Sequence, residues 1–339
     1  MCYFSGLDLI IIVRKIRFDI KYLLVPVICL LLQVDKAFGQ QEPNYSQYMF
    51  YGLIQNPATA GNENAVNITG ANRIQWTGFG KEDGETVTPV VYFVTADMPI
   101  KVLKGGIGLT ISQDAIGHEK TTAVKIGYAH QRSLGFGKLG IGAQIEFNNK
   151  NIDYTKFNPV ENDPLLDQLA DESDMLIDFS LGLFYRIPGS YYLGFSGLHL
   201  VQTKGKPLVE TSGGGLSMKL DRTFMITGGY ELNFPRNPDL QFIPSAILQT
   251  NLSTFRLDID AMLKFKEAFW GGLGYRVGES VIVLAGVQYK DLRIGYSYDI
   301  AVNSVVPNAF GGTHEIMINY KFKLELDKGR SSYKNTRFL

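Results

Sequence analysis

From residue 64 to residue 326 the chain alternates apolar and polar side chains with a period of two, segment after segment. The clearest run puts Phe255, Leu257, Ile259, Ala261, Leu263 and Phe265 on one face and Thr254, Arg256, Asp258, Asp260, Met262 and Lys264 on the other. A helix would scatter these residues around its circumference, whereas a strand sorts them by face. Fourteen such segments can be read: 65–76, 88–98, 105–114, 120–133, 138–150, 175–187, 190–201, 222–234, 239–250, 254–265, 268–277, 279–289, 291–301 and 313–325. Most exceed the ~5–6 residues usual in soluble sheets and match a tilted membrane crossing. The number is even, and no apolar stretch of helical transmembrane length follows residue 40. A closed barrel is the other structure that satisfies its backbone within lipid.

The connections are sorted by parity. After odd-numbered segments they run to roughly 11, 5, 24, 20, 3, 1 and 11 residues, and after even-numbered ones to about 6, 4, 2, 4, 2 and 1, the asymmetry of outer-membrane barrels with short periplasmic turns and longer outer loops. The expectation is an all-β fold, a transmembrane antiparallel up-and-down β-barrel of about 14 strands over 64–326. Its apolar faces meet lipid. Its interior then holds Arg256, Asp258, Asp260, Arg276, Arg293 and Asp299 beside Gly140, Gly142, Gly272, Gly274 and Gly295. Missing side chains leave room there, and residues 40–63, polar and aromatic without strand alternation, are expected to plug the lumen by folding into or across the periplasmic mouth.

The first 39 residues read as a secretory signal peptide. An apolar run from Tyr22 to Val34 follows Arg14, Lys15, Arg17 and Lys21, and Ala37-Phe38-Gly39 places small residues at the −3 and −1 positions of a cleavage site before Gln40. The run is short for a bilayer-spanning helix, which disfavours an uncleaved anchor. Removing this segment takes away both cysteines, Cys2 and Cys29. Disulfides, thiol nucleophiles and thiolate zinc sites go with them. The formal charge of the whole chain is 33 minus 33, or zero, so a nucleic-acid binder is disfavoured. Charged residues are only 19%, against a usual ~25%, while the chain holds 18 Tyr, 21 Phe and 36 Gly.

Chemical motifs are few. Gly135-Phe136-Gly137-Lys138-Leu139-Gly140 matches a dinucleotide fingerprint by letter, but that motif requires a following helix. Here Leu139, Ile141, Ala143, Ile145 and Phe147 continue as a strand, so the segment reads as a Gly-rich hairpin. His118, His130, His199 and His314 are widely separated, and no serine is singled out as a nucleophile. The loop from Tyr154 to Met175 is acidic, and carboxylates are calcium ligands, yet its spacing fits no EF-hand and it reads as solvated. The tail 327–339 carries Lys328, Arg330, Lys334 and Arg337 and reads as a basic periplasmic extension.

One ordered set of letters says more. Ser46-Gln47-Tyr48-Met49, Asn56-Pro57-Ala58, Ala60-Gly61, Arg73, Gln75-Trp76 and Gly78-Phe79 stand near the start. Trp270-Gly271-Gly272, Tyr275-Arg276, Gly295-Tyr296-Ser297-Tyr298-Asp299, His314-Glu315-Ile316 and Tyr320-Lys321-Phe322 stand in the second half. Together they resemble the PorP/SprF family of Bacteroidetes outer-membrane proteins over essentially the whole mature chain. Gly312-Thr313 stands where the family usually has Gly-Ser, and the signal region is longer than usual. The resemblance implies a non-enzymatic, cofactor-free outer-membrane barrel of the type IX secretion system. It implies a role in secretion and surface attachment of large cargo with type B C-terminal domains, gliding adhesins included, or association with the periplasmic lipoprotein ring of that machine. Loops 151–174 and 202–221 would then form a platform for cargo. The rival readings are a channel for hydrophobic small molecules, which apolar side chains gathered in the lumen would favour, and a structural adhesin anchor.

Overall fold

The computed structural model describes residues 42–63, 65–78, 81–82, 85–86, 88–156, 171–209, 216–302 and 311–323. The expected signal peptide, the middle of the acidic loop and the basic tail lie outside them.

Fourteen barrel strands follow in chain order: β1 (Ala65–Ile74), β2 (Val90–Ile100), β3 (Gly105–Ile116), β4 (Glu119–Leu134), β5 (Gly137–Asp153), β6 (Asp171–Ile187), β7 (Tyr191–Leu198), β8 (Thr223–Tyr230), β9 (Asn237–Thr250), β10 (Phe255–Phe265), β11 (Phe269–Arg276), β12 (Ser280–Tyr289), β13 (Leu292–Ala301) and β14 (Thr313–Lys323). Leu232–Phe234 continues β8 past a break at Glu231. Every strand pairs antiparallel with its sequence neighbours, and β1 pairs with β14 from Ala65↔Lys323 to Ile74↔His314. The sheet therefore closes on itself. Closure leaves no free edge within the membrane, where an unpaired backbone group is costly.

The period of two has the expected physical outcome. On β10, Arg256, Asp258, Asp260 and Met262 are buried, while Ile259, Leu263 and Phe265 are exposed on the outer face. β6 does the same, with Asp178 and Ser180 buried and Met175, Ile177, Phe179, Leu181 and Leu183 outward. Such an exposed apolar belt belongs against hydrocarbon.

Connections at one end are short, namely 101–104, 135–136, 188–190, 235–236, 266–268 and 290–291. We call this the turn end. The opposite, loop end carries 75–89, 154–170, 199–222 and 302–312. The β4–β5 turn is the Gly-rich hairpin, with Gly135 at φ 58°, a conformation that glycine adopts without strain. The strand limits shift from the sequence reading by up to four residues, and the loop end departs from it in two ways. The β5–β6 ladder runs on to Asp153↔Asp171, so the acidic loop is shorter than expected. Loop 199–222 carries its own ribbon, Lys204–Val209 paired with Leu216–Lys219, whose Met218 packs with Leu220 against Leu176.

Candidate functional site

Residues 42–63 fill the lumen. They form short helical turns, Tyr48–Phe50, Gly52–Gln55 and Pro57–Thr59, which bond their own backbone where no strand is adjacent. The Asn56 side chain accepts from Ala58 N at 2.9 Å and caps the last turn, with Pro57 set where no backbone N–H is needed. The same amide donates to Leu183 O at 2.9 Å and Phe195 O at 3.2 Å, tying the turn to β6 and β7. Lumen-facing glycines let the segment lie against the wall. A Cβ on Gly142 would stand 2.3 Å from Ala58 N, and one on Gly106 would stand 2.4 Å from Gly61 Cα. The expected plug is present, and it reaches deep into the barrel. Glu63 lies at the turn end beside Lys321 and Arg186, but Ser46 reaches the loop-end half beside Arg73 and Asp299. The segment traverses the lumen because the groups able to bind its first residues stand near the far end.

Those groups form a buried ionic cluster. Arg73 on β1 pairs with Asp299 on β13 at 2.8 Å and with Glu315 on β14 at 3.0 Å. Arg276 on β11 pairs with Asp299 at 3.1 Å and Asp258 on β10 at 2.9 Å, and Arg256 pairs with Asp258 at 3.2 Å. Arg276 also lies 3.5 Å from Glu279, so three guanidinium groups meet four carboxylates. The N-terminal segment supplies the remaining donors. Ser46 N and Gln47 N donate to the two Glu315 oxygens at 2.8 and 2.9 Å, Ser46 Oγ donates to Asp299 at 2.6 Å, and Tyr51 Oη donates to Glu315 at 2.9 Å. A buried carboxylate without such partners would be far more costly than one with them. Aromatic packing adds to this, with the Tyr45 and Tyr51 rings edge-on to Phe93 at 5.1 and 4.8 Å.

A second cluster holds the first described residue. Glu42 meets His199 Nε2, and His199 Nδ1 lies 3.4 Å from Glu146, which pairs with Lys125 at 3.2 Å. Burial acts to raise the Glu42 carboxyl, but Lys125 and then His199 outweigh it and bring the group down to about 2. Burial likewise acts to lower the His199 imidazole, and Glu42 followed by Glu146 raises it above its usual value. Ser180 Oγ donates to Glu146 close by, yet both His199 nitrogens face carboxylates. The Ser180 hydroxyl is thus given to a carboxylate and not to an imidazole nitrogen, unlike the nucleophile of a Ser–His pair. Among the described residues no group of His, Cys, Asp and Glu could hold a metal ion.

The residues singled out in the sequence separate into three places. Ser46, Gln47, Tyr48, Asn56, Pro57, Arg73, Trp270, Arg276, Asp299 and Glu315 come together inside the barrel, all buried. Tyr275, Tyr296, Tyr298 and His314 lie on the outer face, where Tyr296 Oη and His314 Nδ1 are 2.7 Å apart. Trp76, at φ 53°, and Gly78, at φ 90°, turn the chain just beyond β1. The sequence reading named Asp258 and Arg256 as interior charges but passed over Glu42, Lys125, Glu146 and Asp178. Charged residues on the non-lipid face of a barrel strand were the available signal. The lumen also holds an apolar patch, with Met262, Ile282 and Met317 buried, which the inferred charge and glycine lining did not include.

Fold and site together define an outer-membrane β-barrel whose lumen is filled by its own N-terminal segment. The chain belongs to the family described as type IX secretion system membrane protein PorP/SprF, whose model matches residues 37–320. That assignment is to a membrane component of a secretion system, not to an enzyme. No curated protein matches the chain. Among solved structures it is similar to the Ralstonia pickettii toluene transporter TbuX, at 12% identity and TM-score 0.47, covering 80% of this chain and 92% of that one. It is also similar to the P. putida toluene transporter TodX, at 10% and 0.43 over 79% and 92%, and to a Pseudomonas aeruginosa FadL homologue, at 11% and 0.44 over 79% and 93%. At these scores the likenesses carry no functional argument.

Proposed function

We propose that this barrel supports the secretion and surface attachment of cargo with type B C-terminal domains, and that its loop end is the platform on which such cargo is held. The observation that carries the reading is the filled lumen. A segment of the chain's own sequence runs its length and is held by ion pairs at Glu42 and Glu63 and by Ser46 between them. A barrel packed in this way offers its two ends to partners rather than a path through its middle. The apolar side chains of the lumen, Met262, Ile282 and Met317, pack in one cluster with Tyr48 and Tyr51 of the segment, so they hold the filling in place rather than line a path for hydrophobic small molecules. Residues 1–39 act as a cleaved signal peptide in this reading, and the turn end faces periplasmic components of the machine, the lipoprotein ring among them.

The test is to replace 204–219 by a short Gly-Ser linker and, separately, to shorten 154–170. Barrel assembly, followed by heat-modifiable gel mobility, should be unchanged. Cargo with a type B C-terminal domain should leave the cell surface for the medium or the periplasm. Unimpaired display in both variants would refute the platform.

A further inference from the structure

At the turn end, between the N-terminal segment and strands β1, β2, β6 to β11, β13 and β14, a hollow of about 300 Å³ remains, with Asp97 on its wall accepting from Gly61 N at 2.9 Å and Asn67 at 3.1 Å. Its charge chemistry is one-sided in one corner. Glu63 is engaged by Lys321 at 2.6 Å and lies 3.9 Å from Arg186, which also meets Glu231 at 3.3 Å. Lys264 and Arg293 line the same hollow, and among the described residues neither has a carboxylate in ion-pair range. Among the described residues Arg293 bonds the Gln288 side chain, at 3.1 Å, and its guanidinium lies 5.0 Å over the Phe50 ring and 5.9 Å over that of Trp270. The buried indole N–H of Trp270 has no acceptor among the described residues. A Cβ on Gly286 would stand 2.1 Å from the Trp270 ring, so only a glycine there lets the indole lie against the wall.

This corner therefore presents an ammonium, a guanidinium and an indole N–H, all donors, beside an aromatic shelf. The buried indole N–H requires an acceptor, and two half-buried cations with no carboxylate in ion-pair range favour one that is charged. A planar carboxylate matches the guanidinium, and the shelf of Phe50 and Trp270 suits an apolar group next to it. We propose that the turn-end hollow is a binding site for a carboxylate joined to an aromatic or aliphatic group, the carboxylate seated between Lys264 and Arg293. The C-terminal residue of a peptide entering from the turn end has this chemistry, and so does a small apolar acid. Capture of a chain-terminal carboxylate is an established mode of peptide recognition. The site does not depend on which cargo the loop end holds.

The full chain in detergent or nanodiscs serves for the test, with three probes: N-acetyl-Leu-Phe, its C-terminal amide, and 3-phenylpropionate. Binding is read by calorimetry on the wild type. In the W76F variant it is also read by fluorescence, because the chain has 2 tryptophans and Trp270 alone then reports. The peptide acid should bind at least tenfold tighter than the amide. K264M and R293M should each remove that preference while leaving gel mobility unchanged. Tighter binding of the peptide acid than of 3-phenylpropionate assigns the site to peptide ends, and the reverse order assigns it to small acids. Equal binding of acid and amide, no binding of any probe, or an acid preference surviving in both variants would overturn the proposal.

Discussion

Arg73 shows what a single charged residue does in this molecule. Its guanidinium is 2% exposed and neutralises two carboxylates on two other strands while donating to Ser46 Oγ at 2.7 Å. R73M should cost about 3–5 kcal/mol, because Asp299 and Glu315 would be left buried with fewer partners. The loss should appear as a lower unfolding midpoint in detergent, and adding E315Q should restore part of it, as expected of coupled sites. Glu42 and His199 make a pH prediction. The His199 value is raised, so its contribution is complete below the usual imidazole value of ~6.5 and is lost as pH rises through the folded value. The Glu42 value is lowered, so its contribution is complete above the usual ~4.3 and is lost as pH falls towards about 2. The N-terminal end should hence be held best between those usual values and loosen on the alkaline side. Hydrogen exchange of residues 42–47 against pH would register this, and in H199Q the alkaline step should vanish.

At the scale of elements, wall and filling are matched to each other. Strands β3 and β5 place Gly106 and Gly142 against the backbone of Gly61 and Ala58. G142V would drive a side chain into that backbone, and the filling would have to leave because the ladders on both sides of β5 are continuous. The barrel should still assemble while planar-bilayer conductance rises well above wild type. Gly70, on the outer face of β1 with nothing nearer than 3.8 Å to an added Cβ, is the control: G70A should leave conductance unchanged. Equal conductance in all three proteins would mean that the segment does not block the lumen.

For the whole molecule, deletion of 40–62 removes the filling outright and should open a larger, steady conductance. The ionic cluster would lose its Ser46, Gln47 and Tyr51 donors but keep its arginine–carboxylate pairs. The deleted barrel should therefore remain heat-modifiable at a lower temperature than wild type. Water entering the opened lumen would replace the lost donors, so each exchanged hydrogen bond should cost about 1 kcal/mol. A deletion variant that neither conducts nor loses stability would contradict the traversing path of the segment.

Strand number, the facing of each strand and the sorting of long and short connections were legible in the sequence. Each follows from a local rule: a period of two fixes which side chains share a face, and lipid on one side fixes which face is apolar. Arg256, Asp258 and Asp299 could be named as interior residues for that reason alone. Their partners could not be read. The contact of Ser46 with Glu315 joins positions 269 residues apart, and only closure of β1 onto β14, together with the register of every intervening strand, sets that distance. The course of residues 42–63 was equally hidden, because a segment without periodicity takes its path from the surface that surrounds it. Sequence determined a barrel with a polar interior. The tertiary structure decided how the expected plug is held, because charges spread over several strands become a binding site only when the sheet curls round to bring them together.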